Sequence, residues 1–134
     1  MAKQRIGGAH RTYGEHHELQ MKGWMVDYIS ERMPEFEAVA RRSEWADVFD
    51  NLPYFPVQAL YQFAVAEFAA GRHDVVVRAL DVVEEALSSG IRQIVDPFSI
   101  NFIERLAGEK RRNHFDFFVS HLGPESQKDL ATKG

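Results

Sequence analysis

Between Pro56 and Gly71 the chain reads PVQALYQFAVAEFAAG, and its apolar positions recur with the period of a helix. Val57, Leu60, Tyr61, Ala64, Val65 and Phe68 fall at i, i+3, i+4, i+7, i+8 and i+11, while Ala59, Phe63, Ala66 and Ala70 fill much of the remaining circumference. A helix apolar nearly all round predicts burial at the centre of the fold. Gln58, Gln62 and Glu67 interrupt the run and it is too short to cross a bilayer, so its expected partner is the rest of the chain.

Helical periods flank this stretch on both sides. Met21, Trp24, Met25, Tyr28 and Ile29 give the apolar stripe of a helix over Glu15–Met33, ended by Pro34. Pro34 also suits the first position of a second helix, with Glu35 and Glu37 at its positive end and Phe36, Val39 and Ala40 inward. Ser43 is an N-cap candidate for a short helix carrying Trp45, Val48 and Phe49, and LPYFP then reads as a loop. After Gly71, Val76, Ala79, Leu80, Val83 and Leu87 line one face of a helix over His73–Ser89, which a short Gly turn joins to the central one as an antiparallel hairpin. Ile91, Ile94 and Val95 form a lead-in, and Asp96-Pro97 reads as N-cap and first residue of a helix to Gly108 with Phe98, Phe102, Ile103 and Leu106 inside. A polar EKRRN connection leads to a helix over His114–Leu122, which Gly123 and Pro124 break, leaving a frayed tail with Leu130. These elements predict an all-α, single-domain irregular bundle of about six helices built from antiparallel helical hairpins. Residues 1–13 read as a flexible N-terminal arm and 14–134 as one helical domain.

Composition supports a core without staples. With 134 residues, 45% hydrophobic and 27% charged, the chain can bury a core of its own, and the absence of cysteine excludes disulfides, thiolate metal sites and cysteine nucleophiles. No apolar run follows the basic N-terminal residues, which predicts a cytoplasmic protein. Lys3, Arg5 and Arg11 precede the first acidic residue, so the remainder carries 13 basic against 20 acidic side chains. An acidic body disfavours nucleic acid and attracts basic partners. The hairpin around Gly71 is therefore not read as a DNA reader: its second helix offers Asp81, Glu84 and Glu85 with only Arg78 opposing them.

The common catalytic constellations are missing. There is no G-x-S-x-G, no G-x-x-x-x-G-K and no H-E-x-x-H, since Met21 stands where His17-Glu18 would need its second histidine. His10, His16 and His17 lie on a glycine-containing arm that fixes no metal geometry. His114 and His121 are about 10 Å apart along a helix, too far to share an ion, and read as surface or boundary residues. Arg41 and Arg42 are either a solvated helix end or an anion site. Glu67 and Glu104 are either carboxylates beside apolar surface with raised pKa values, usable as general acids, or partners of Arg72 and Arg105. The expectation is a non-enzyme with no catalytic, cofactor-binding or metal-ligating residues and no cofactor.

The segments VDPFSINFIERL and HLGPESQKDL, with LPYFPVQALYQF and VVEEALSSG before them, resemble a family of small uncharacterised all-helical bacterial proteins over about Met21 to Leu130. The resemblance rests on Phe102, Glu104 and Leu106 in one helix and on Leu122, Gly123 and Pro124 in a following turn. Some relatives are thought to act as immunity proteins beside polymorphic toxins, so the resemblance implies a protein that binds and neutralises a cognate toxin, for instance a basic nuclease. The partner surface expected on this reading is Asp47, Asp50, Tyr54, Asp81, Glu84 and Glu85, with an aromatic such as Tyr54 as anchor. The alternative is a helical-repeat-like adaptor holding a peptide or subunit beside the central hairpin. Neither reading involves nucleic acid or a membrane. An exposed stripe on Met21–Ile29 could pair two copies.

Overall fold

The computed structural model describes residues 23–42 and 52–133. Within them the chain forms seven helical rods and no strand. Helices α1 (Trp24–Arg32) and α2 (Phe36–Arg42) precede the hairpin of α3 (Tyr54–Ala69) and α4 (His73–Leu87). Helix α5 (Arg92–Phe98) continues through a π-helical turn (Ser99–Ile103) into α6 (Glu104–Ala107), followed by α7 (Phe115–Ser120) and α8 (Pro124–Thr132). The all-α bundle expected from the periods is the fold observed.

The core is where the periods placed it. Met25, Tyr28, Ile29, Phe36, Val57, Leu60, Tyr61, Ala64, Val76, Ala79, Leu80 and Val83 are buried, joined by Phe98, Phe102, Ile103, Leu106 and Phe118 from the second half. Each fully buried large aliphatic or aromatic side chain contributes roughly 1.5–3 kcal/mol relative to exposure. Trp24, Met25, Tyr28 and Ile29 of the stripe on α1 are thus occupied inside their own chain, and Met21 lies outside the described residues. Helix α3 differs from expectation: one face is buried, but Phe63, Val65 and Phe68 are half-buried and Ala66, Ala69 and Ala70 are exposed. It lies across the core rather than inside it, packed chiefly on α4 and on the π-helical turn.

The boundaries depart from the sequence reading where proline and glycine are involved. LPYFP is not a loop, because α3 begins at Tyr54 with Pro53 as its N-cap residue and Pro56 in the first turn. The first-turn N–H groups of a helix have no intrahelical acceptor, so both prolines are tolerated there. Nor does a helix start at Asp96-Pro97. Pro97 lies inside α5, and the rod continues past it through the π-helical turn, in which the Glu104 N–H donates to the Ser99 carbonyl. A proline deprives the ladder of a donor and crowds the preceding turn, and one widened turn is a way to carry the rod past it. At the other end of the chain segment, Gly23 has φ +71°, so α1 begins at Trp24. The rest of the helix expected from Glu15, the turn expected around Trp45 and the N-terminal arm with its histidines lie outside the described residues.

The expected frayed tail is a helix. The Glu84 carboxylate, on α4, accepts hydrogen bonds from the Glu125 N–H (3.0 Å), the Ser126 N–H (2.9 Å) and the Ser126 hydroxyl (2.8 Å), so a side chain about 40 residues away caps α8. Pro124 is the first residue of that helix, and Ser126 is buried. Gly123 has an ordinary φ, but a Cβ there would stand 2.4 Å from the Glu84 side chain. The glycine is the clearance that lets the carboxylate reach the helix end.

Candidate functional site

The expected partner surface is distributed over separate places. Asp47 and Asp50 lie outside the described residues. Asp81 and Glu85 share a hollow of about 260 Å³ on α4 with Glu31, Arg32 and Arg78, three carboxylates against two guanidiniums. Glu85 accepts from Arg32 Nε at 2.8 Å, and that guanidinium lies over the Tyr28 ring at 3.8 Å. Arg78 is held by Glu35, whose carboxyl the guanidinium keeps below the usual carboxylate range. Asp81 stands exposed beside these pairs. Glu84 faces the α8 terminus; burial opposes its ionisation, but the Ser126 and Glu125 N–H groups and the Ser126 hydroxyl hold its carboxyl below the ordinary value.

Tyr54 occupies a different hollow, of about 520 Å³, with Trp24, Pro53, Arg92, Asp96 and Pro97 around it. It is 40% exposed and its neighbour Leu52 46%, two of three large apolar side chains exposed among the described residues. Arg92 and Asp96 pair with each other across one helical turn at 3.4 Å. The starts of α1, α3 and the proline-containing α5 thus leave an apolar basin with an aromatic lip.

A buried polar group that the sequence reading missed lies two turns further along α3. The Tyr61 hydroxyl donates to Glu109 Oε1 at 2.5 Å and lies 2.9 Å from His114 Nε2, which is itself 3.2 Å from Glu109 Oε1. Tyr61 is 2% exposed and His114 3%, so His114 is no boundary residue. Phe102 meets the Tyr61 ring edge-on at 5.1 Å, and Phe118 lies 4.9 Å from the His114 ring. Burial, and then the Glu109 carboxylate holding the proton in place, push the Tyr61 hydroxyl well above its ordinary pKa. Burial pushes His114 below its ordinary value although Glu109 opposes the shift, leaving a neutral imidazole at neutral pH. Tyr61 has one proton and gives it to Glu109, so the contact with His114 needs the proton on Nε2 and a lone pair on Nδ1. Nothing local in EKRRN-His signals this. The signal available was an unpaired tyrosine hydroxyl on a predicted core stripe, which demands a partner from elsewhere.

His114 also lines a hollow of about 550 Å³, walled by Val65, Phe68 and Ala69 of α3 and rimmed by His73, Arg111, Arg112 and Asn113. His73 stacks on Phe68 with ring centroids 5.0 Å apart. The other charged candidates sit apart from it. Glu67 accepts two hydrogen bonds from Arg72 (2.6 and 3.0 Å), which hold its carboxyl below, not above, the ordinary range. Glu104 is exposed, 3.8 Å from Lys133 rather than beside Arg105. Arg41, in the last turn of α2, pairs with Glu37, as a helix end favours. Among the described residues no three His, Asp or Glu gather as metal ligands, and no helix is long and apolar enough to cross a membrane.

The fold and these sites define a small all-helical protein with one apolar surface basin and one buried tyrosine–histidine–glutamate group under a basic hollow. Residues 26–133 match the family described as a domain of unknown function (DUF7674), and the chain belongs to that family. No curated protein and no solved structure matches it.

Proposed function

We propose that this protein works by binding another protein through the basin around Tyr54, and that its partner is a cognate toxin that it neutralises by covering. The observation carrying this reading is Tyr54, left exposed at a hollow bordered by Trp24, Pro53 and Pro97, with Leu52 also exposed two positions before it. Aromatic side chains at the lip of an apolar hollow are the usual anchors of protein interfaces. The carboxylates expected to form the surface contribute unequally. Glu84 caps α8 and Glu85 is paired with Arg32, which leaves Asp81 to steer a basic partner while the apolar basin supplies the affinity.

The test is co-expression with the product of the adjacent reading frame, followed by purification and a toxicity assay. The expected result is a stable complex and protected cells, with Tyr54→Ala weakening the complex about tenfold or more and leaving folding stability within about 0.5 kcal/mol. No complex and no protection removes the toxin reading. A complex indifferent to Tyr54→Ala removes the basin as its contact. Binding of a short extended peptide instead of a folded partner is the outcome of the adaptor reading.

A further inference from the structure

Residues 109–114 read EKRRNH, three cations and one carboxylate ahead of a histidine. Lys110, Arg111 and Arg112 are exposed and His114 is buried, so the segment turns its cations outward and its imidazole inward. The hydrogen-bonded group of Tyr61, Glu109 and His114 ties it to α3. Beside that tie, a hollow of about 550 Å³ stands between Arg111, Arg112 and Asn113 on one side and Val65, Phe68 and Ala69 on the other. The group suits one protonation state of the histidine. Glu109 Oε1 takes the Tyr61 proton at 2.5 Å and stands 3.2 Å from His114 Nε2, so its charge is already shared between two donors, and Arg112 faces the same carboxylate at 3.7 Å. An imidazolium would place a fourth cation on a segment with one carboxylate, in a pocket bounded by the rings of Tyr61 and Phe118. The other charged or titratable groups facing it are Arg111 and His73 at the hollow and Arg105, whose guanidinium lies 5.6 Å from the Tyr61 ring centroid; none of these is an acid. Burial accordingly holds His114 below its ordinary value against the pull of Glu109.

We infer that residues 109–114 form an acid-released latch: protonation of His114 detaches the segment from Tyr61 and opens the hollow over Val65 and Phe68, while the rest of the bundle stays folded. The sign follows from linkage. A base whose folded pKa is depressed binds fewer protons in the latched state than in the open one. Latching is therefore fully favoured above the ordinary histidine value of about 6.5 and weakens as pH falls from there towards the folded value. Leu106 and Phe118, on either side of the segment, are fully buried and confine the opening to the stretch between them. The latch is separate from the Tyr54 basin, which has no lining residue in common with this hollow.

The test is amide hydrogen exchange of the full chain from about pH 7.5 to about pH 5, corrected for intrinsic exchange, with a parallel NMR titration of the histidine rings. The Phe115 and Phe118 amides donate to the Arg112 and His114 carbonyls. They should lose protection by up to about tenfold per pH unit below about 6.5, the slope of a single proton, while the amides of α4 keep theirs. His114→Gln keeps a donor for the group without a titrating ring and should abolish the slope. His73→Gln, at the exposed ring beside the hollow, should leave it in place. A flat exchange profile, or a His114 ring that titrates at or above about 6.5, overturns the latch, and both are read on the unaltered chain. A slope that survives His114→Gln overturns it too, as does an equal acid loss of protection in α4, which would make the response one of global unfolding.

Discussion

Two tyrosines on one helix, seven residues apart, lead opposite lives. Tyr54, in the first turn of α3, is 40% exposed at the lip of a hollow; Tyr61 is 2% exposed and shares its hydroxyl with Glu109 and His114. The difference follows from what reaches each position. The second half of the chain lays Phe102, Phe118 and the segment from Glu109 to His114 against Tyr61, whereas among the described residues Tyr54 borders a hollow with Trp24 and Pro97. Polar side chains in the first region hold the fold together, and the apolar side chain in the second is available to a partner.

The strongest way to break this comparison is Tyr61→Ala. It removes a buried ring and strands two polar partners, and should cost about 3–5 kcal/mol in urea denaturation. A cost close to that of Tyr54→Ala would mean that the two sites do not differ in kind.

The same contrast holds between the adjacent carboxylates Glu84 and Glu85. Glu84→Ala leaves the N-terminus of α8 uncapped, with an expected cost of about 1.5–3 kcal/mol, and hydrogen exchange over residues 124–132 should accelerate to near unprotected rates. Glu85→Ala, at an exposed ion pair, should stay within about 1 kcal/mol. The acid response sharpens the point. Because the folded Glu84 carboxyl sits below its unfolded value, its stabilisation is fully present above the ordinary carboxylate pKa of about 4.3 and fades as pH falls through the depressed folded value. Glu84→Gln should flatten that part of the acid-denaturation curve.

A smaller effect is expected at Gly123. Gly123→Ala forces the Glu84 side chain aside, costing about 1–2 kcal/mol up to the value of the cap itself. In a Glu84→Ala background the same change should be near neutral. Additive costs in this double-mutant cycle would show that the glycine serves some purpose other than clearance.

These positions also show how far the sequence could be read. Helix α4 was legible in full because Val76, Ala79, Leu80 and Val83 keep one face over about two turns, and Gly71 marks its hairpin with a φ of +83°. Tyr61 was placed in the core by the same period. Its partners were not, because Glu109 and His114 are 48 and 53 residues away in a segment that reads as a solvated turn. Glu84 reads from the sequence as a member of an open acidic face for the same reason: its acceptors are filled by residues more than 40 positions on. Asp96-Pro97 misled because N-cap and first-position chemistry is local, whereas the continuation of the rod past Pro97 depends on Phe98, Phe102 and Ile103 being buried together. Tyr54 was picked out on a supposed loop and lies on a helix, yet its exposure beside Leu52 is what a contact residue requires.

The most direct measurement removes a single oxygen from each tyrosine. Tyr54→Phe and Tyr61→Phe keep both rings and alter only the hydroxyls, so urea denaturation of the two variants isolates the polar contribution. Tyr61→Phe should lose about 1–3 kcal/mol through the stranded Glu109 and His114, and Tyr54→Phe should remain within about 0.5 kcal/mol of the parent chain. Equal losses, or a neutral Tyr61→Phe, would contradict the assignment of one tyrosine to the fold and the other to its surface.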